Sequence, residues 1–203
     1  MITNDPIEAI MKALDSGVRT QSMADMAEAG CKVQTSGNRG AGAGHNADYA
    51  PVWAHLQHLS WERHAQAALI WSLFSLEESD ANEWIDECRE DLLARFIPRV
   101  PAWEKLTKMK RERAEWIAYA ALASRRADLD CVRPEWGPLE VSYHLADKHG
   151  VSVSTKHWKR DYSGFWNVAL ICVQEMETEA LDPVRAIIRQ QNHYERQEMQ
   201  MAA

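Results

Sequence analysis

Along most of this chain apolar residues return every third or fourth position, and no alternation of apolar and polar residues is long enough to make a convincing strand. The pattern predicts an all-α fold, a multi-helix body with a C-terminal helix-turn-helix. Asp5 and Pro6 open a first helix that runs to Ser16 and stops at Gly17, with Ile7, Ile10, Met11 and Leu14 on one stripe. A second short helix covers 22–29. Residues 31–48 are rich in glycine, which costs backbone entropy to order, and read as a flexible linker or mobile loop. From Pro51 to Leu76 the period is helical throughout, with Trp53, Leu56, Ser60, Ala67, Trp71 and Phe74 along one side. A helix over 80–96 follows, in which Trp84, Cys88 and Leu92 repeat every fourth residue. Pro98 breaks it, Pro101 restarts it, and a long helix is expected from Ala102 to about Ala127. After a break at 131–138, helices continue through Met176, with a kink at Gly164 and a last helix starting at Asp182 and Pro183. The expected organisation is an N-terminal helical arm (1–30), a flexible Gly-rich linker (31–50), a helical body (51–130) and a helix-turn-helix module with C-terminal helices (131–203).

The stretch with the most specific pattern is Pro138 to Tyr162. A helix-turn-helix needs a small residue where its helices cross, a glycine free to take positive φ, and apolar residues that lock the second helix down. Ala146, Gly150 and Val151 have that spacing. In the expected second helix, Val151, Thr155, Trp158 and Tyr162 fall on one stripe. This leaves Ser154, Lys156, His157, Lys159 and Arg160 on the other faces, as DNA-binding residues able to meet phosphate and base edges.

Charge sharpens this reading. The net charge of the 203 residues is −7. It is uneven: residues 1–104 carry a net −8, residues 105–160 a net +5 and residues 161–203 a net −4. Phosphate attraction is local at physiological salt, so a positive block on an acidic chain suits binding through that block and argues against indiscriminate coating of DNA. The acidic face of the helix over 80–96 reads as a solvated surface.

Other chemistry finds little support. The four cysteines form no CxxC pair, and with no signal peptide in the pattern they are expected to be reduced, in a cytoplasmic protein. GNRGAGAG lacks the Gly-Lys-Ser/Thr ending of a phosphate loop. His55, His58, Glu62 and His64 have ligand-like spacing but no further fixed ligand, so neither metal nor cofactor is expected. No nucleophile stands beside a local base and no carboxylate pair has signs of burial, so the chain does not read as an enzyme. The longest apolar run, 65–76, is too short to span a bilayer. Nine tryptophans against three phenylalanines suggest tryptophan at helix contacts or at a partner surface. A non-enzymatic protein-interaction module, an inhibitor or adaptor using that surface, is the alternative class.

RERAEWIAYAALA (111–123), a proline-containing spacer and HLADKHGVSVSTKHWKRD (144–161) together resemble sigma factor region 4, through Leu145, Ala146, Gly150, Val151, Ser152 and Thr155. The arrangement is also similar to the C-terminal part of phage antitermination proteins of the Q type. Over about 60 residues the resemblance implies a transcription regulator, in its sharpest form a phage late-gene antiterminator. Its partners would be DNA and host RNA polymerase, and it would act in the bacterial cytoplasm. The chain departs from the pattern at Lys156, where such units carry an apolar residue, and it lacks the cysteine-rich zinc module of some Q proteins.

Overall fold

A computed structural model describes residues 2–13, 39–62, 64–74, 78–129 and 135–201, with backbone only at 39–47, 60–62, 64–65, 67, 71–72 and 78–86. Among the described residues every regular element is helical. These are residues 6–13 (α1), Arg39–Glu62 (α2), His64–Phe74 (α3), Glu78–Phe96 (α4), Lys108–Leu129 (α5), Pro138–His149 (α6), Trp158–Asp161 (α7) and Ser163–Met201 (α8), with 3-10 turns at Ile97–Arg99 and Trp103–Lys105. The all-α expectation holds. The expected helix over 22–29, the linker residues 31–38, and Cys31 and Cys131 lie outside the described residues.

The chain divides into two compact units, Met1–Ala67 with Glu179–Ala203, and Ala68–Thr178. This division cuts across the four expected segments. Residues 39–50, expected as part of a flexible linker, belong to α2.

In the first unit, Asp5 caps α1 as its sequence position predicts, its carboxylate accepting the Ile7 N–H at 3.0 Å. The buried stripe is rotated from the expected one. Ala9, Ile10 and Ala13 are buried, while Met11 faces out. Along α2 the same rotation appears, with Tyr49, Val52, Leu56 and Leu59 buried and Trp53 43% exposed. Asn192 ties the N-terminal segment to α8, accepting the Ile2 N–H at 3.1 Å and donating to the Ile2 carbonyl at 3.2 Å. Satisfying a buried amide on both sides in this way avoids the cost of an unpaired polar group. Pro183 does not start a helix. It lies inside α8, where its missing N–H costs about 3 kcal/mol and burial of Leu181, Val184 and Ile188 at about 1.5–3 kcal/mol each works against that cost.

The second unit is built around Cys88, Leu92 and Phe96 of α4, Ile117 and Leu122 of α5, Val141 and Leu145 of α6, and Trp166, Ala169 and Val173 of α8. The four-residue repeat expected over Cys88 and Leu92 is buried. Helix α5 starts at Lys108, six residues later than the spacing predicts. The cause is local: Ala102 takes a left-handed φ of 54°, and Trp103 sets its ring edge-on to Phe96 at 6.1 Å. Thr107 then caps the helix through its hydroxyl, 3.3 Å from the Lys110 N–H. The Arg125 guanidinium spans from α5 to the buried Glu177 of α8 with two bonds of 2.7 Å, and Glu177 in turn holds the arginine even more firmly protonated than usual.

Candidate nucleic-acid interface

The first helix and the glycine turn of the expected helix-turn-helix are present. Gly137 and Pro138 open α6, and Val141 and Leu145, one turn apart, are fully buried. Gly150 ends it at φ 65°, ψ 16°, the left-handed region in which a residue without Cβ carries no penalty. The N–H groups of Gly150 and Val151 turn back to the carbonyls of Ala146 and Leu145 at 3.2 and 2.9 Å.

The second helix differs from expectation. Residues 151–154 have no regular structure, 155–157 form a turn, and the helix that follows, α7, is the single turn Trp158–Asp161 before α8 begins at Ser163. Two physical causes act together. Val151, Val153 and Thr155 are β-branched, and Ser152 and Ser154 compete for backbone hydrogen bonds, so the segment is a poor helix former. Ser142 of α6 also donates its hydroxyl to the Val153 carbonyl at 2.8 Å, with the Val153 side chain buried. The stripe expected over Val151, Thr155, Trp158 and Tyr162 is therefore split. Trp158 and Tyr162 are buried, Val151 and Thr155 are half-buried, and Val153, on the opposite side of the expected helix, takes their place. Ala146 is exposed, so among the described residues no helix crosses at the expected small residue.

The polar residues singled out from sequence all reach the surface. Ser154, Lys156, His157, Lys159 and Arg160 are exposed, the first three before α7 and the last two on it. Lys156, out of pattern for a recognition helix, is in keeping with a solvent-facing turn. Beneath them, the Trp158 ring lies 5.8 Å from that of Tyr162 and 6.4 Å from that of Trp166, an apolar floor under a charged rim.

Two more cations join this rim from a part of the chain that sequence spacing does not link to it. Arg113 of α5 donates to the Tyr162 hydroxyl at 3.3 Å, and the Lys110 ammonium lies 6.0 Å from the centre of the Phe165 ring. The Asp161 carboxyl is held below its ordinary range first by the Arg160 guanidinium, with a smaller contribution from Lys110. The basic first half of α5 therefore meets α7 and the start of α8. The sequence signal for this was the basic run 105–113 itself, which lacked only a reason to be near 156–160.

Behind this surface, α5 packs on α4 and on α6 through stacked groups. Arg89 of α4 lies over Trp116 at 4.4 Å, and His149 stacks on the same ring at 4.4 Å. His144 lies 4.8 Å from Trp136 and 5.5 Å from His149. Its Nε2 and the Trp136 indole N–H are buried without a hydrogen-bond partner. Burial, reinforced by the charges of His149 and Lys148, pushes the His144 pKa down to about 4.

Among the tryptophans whose side chains are described, only Trp53 is largely exposed. His55 is half-buried and His58 exposed, and among the described residues no three histidine, cysteine or acidic side chains converge on one point. Cys88 and Cys172 are buried thiols, neither in a disulfide. No helix of the described residues is long and apolar enough to cross a membrane. No known family, curated protein or solved structure matches this chain.

Proposed function

We propose that this chain binds double-stranded nucleic acid, DNA in the first instance, through the rim formed by Ser154, Lys156, His157, Lys159 and Arg160 together with Lys110 of α5. The observation that carries the reading is the meeting of two basic segments, 105–113 and 156–160, over the buried Trp158 and Tyr162. Cations gathered from distant parts of an acidic chain onto a fixed floor are what a phosphate track requires. A single helical turn is too short to lie along a major groove, so the rim engages chiefly phosphates, with Arg160 and Ser154 at a groove edge.

In its sharper form the proposal is a phage transcription regulator of the antiterminator kind, with host RNA polymerase as second partner. What supports that form is the likeness of Leu145, Ala146, Gly150, Val151, Ser152 and Thr155 to region 4 and Q-type sequences, of which the first helix and glycine turn have a counterpart in the fold. The test is anisotropy of a labelled mixed-sequence duplex titrated with the purified full chain. Saturable binding is expected, weakened about tenfold or more when Lys156, Lys159 and Arg160 become alanine. Absence of binding at low salt, or equal binding by the triple variant, contradicts the proposal.

A further inference from the structure

One carboxylate is out of place on the basic rim. Neighbouring residues on a helix do not face each other, yet Arg160 folds back on Asp161 and makes two bonds to it, Nε to Oδ1 and Nη2 to Oδ2, both 2.9 Å. The guanidinium remains 70% exposed while the carboxylate is 29% exposed, so the fork is aimed along the surface rather than away from it. Lys110 from α5 also helps to hold the same carboxyl below its ordinary range. Asp161 thus answers to cations of two separate segments, Arg160 of α7 and Lys110 of α5. An arginine fork takes a carboxylate and a phosphate with the same paired donors.

We propose that Asp161 is an internal stand-in for phosphate, holding the Arg160 fork in the free protein and yielding it to a backbone phosphate of double-stranded nucleic acid on binding. This rests on reading the rim as a nucleic-acid interface. The exchange gives the rim a built-in opponent. An exposed pair of this kind is weak and is screened by salt, so a polyanion can displace it. Affinity for any single phosphate is lowered, and tight binding requires a partner that engages Lys156, Lys159 and Lys110 at the same time.

The isosteric variant D161N removes the competitor and leaves the fold's hydrogen-bonding geometry nearly unchanged. Duplex affinity is measured by anisotropy from about 0.05 to 0.2 M salt, with D147N as a control that changes net charge equally at another exposed acid of the same unit. D161N is expected to tighten binding about threefold to fivefold and to steepen the salt dependence by about one released ion. D147N should change affinity by much less. In a protein that already carries R160A, the gain from D161N should fall to that of D147N. If wild type binds and D161N gains no more than D147N, or if its excess over D147N survives R160A, the role of Asp161 is overturned while the interface stands. If no variant binds the duplex at all, the interface itself is overturned and this inference goes with it.

Discussion

Arg113 of α5 donates to the hydroxyl of Tyr162 at 3.3 Å across 49 residues of sequence, joining the basic half of one helix to the floor beneath the basic turn of another. The bond matters because Tyr162 is buried and its hydroxyl would otherwise lack this donor. Tyr162→Phe keeps the ring against Trp158 and loses only the hydroxyl. The expected cost is about 1 kcal/mol in urea unfolding. Trp158→Ala, which empties the floor itself, should cost about 3–5 kcal/mol. Equal losses from the two would mean that the hydroxyl, not the ring packing, supports the rim.

The Arg125 and Glu177 pair makes a second prediction about the core of the same unit. Glu177 is buried and Arg125 partly open to solvent, so removing the carboxylate leaves a cation that retains Asp128 and some water. Glu177→Ala should destabilise by about 2 kcal/mol, below the figure for a fully buried pair. Arg125→Met, which removes the charge and keeps the stem, leaves Glu177 as the buried orphan and should cost at least as much. Thermal or urea unfolding distinguishes these outcomes.

Acid should weaken the second unit through His144. Its pKa in the folded chain is about 4, below the ordinary 6.5, so the unfolded chain binds the extra proton more readily. The contribution to stability is complete above pH 6.5 and is lost as pH falls from 6.5 toward 4. Between pH 7.5 and pH 5 the loss from this ring should be about 1–2 kcal/mol, allowing for the solvent that reaches it. His144→Phe preserves the contact with Trp136 and should flatten this part of the pH profile. An unchanged profile would assign the pH dependence to other groups.

Gly150 provides a backbone test. Its φ of 65° suits glycine, but the space where a Cβ would sit is open to 4 Å. Gly150→Ala should therefore cost about 1 kcal/mol from the backbone alone, with no steric addition. A loss of several kcal/mol, seen in urea unfolding, would mean that the turn is more tightly enclosed than the open space around Gly150 indicates.

Local chemistry was well legible in this sequence. The cap at Asp5, the four-residue repeat of Cys88 and Leu92, the left-handed turn at Gly150 and the anchoring of Trp158 and Tyr162 each depend on residues close in sequence, and each appears in the fold. The sequence misleads at the second helix, because a stripe at 151, 155, 158 and 162 satisfies the helical period while the alternation of Val151, Ser152, Val153, Ser154 and Thr155 favours extended chain. Periodicity alone places Trp53 and Met11 on the apolar stripes, yet smaller neighbours, Val52 and Ala13 among them, form the packed face. Pro183 gave a start signal that the packing of Val184 and Ile188 overrode. The approach of Lys110 and Arg113 to 156–160 depends on tertiary packing, which no local pattern encodes.

The central claim is that the cations of the turn and of α7 meet phosphate. Its most direct test is the salt dependence of duplex affinity for wild type and for the chain with Lys156, Lys159 and Arg160 all changed to alanine. Each phosphate contact contributes a slope of about −0.9 in log affinity against log salt, so the triple variant should lose about two to three from the magnitude of the slope. Wild type and variant falling on parallel lines would contradict the account.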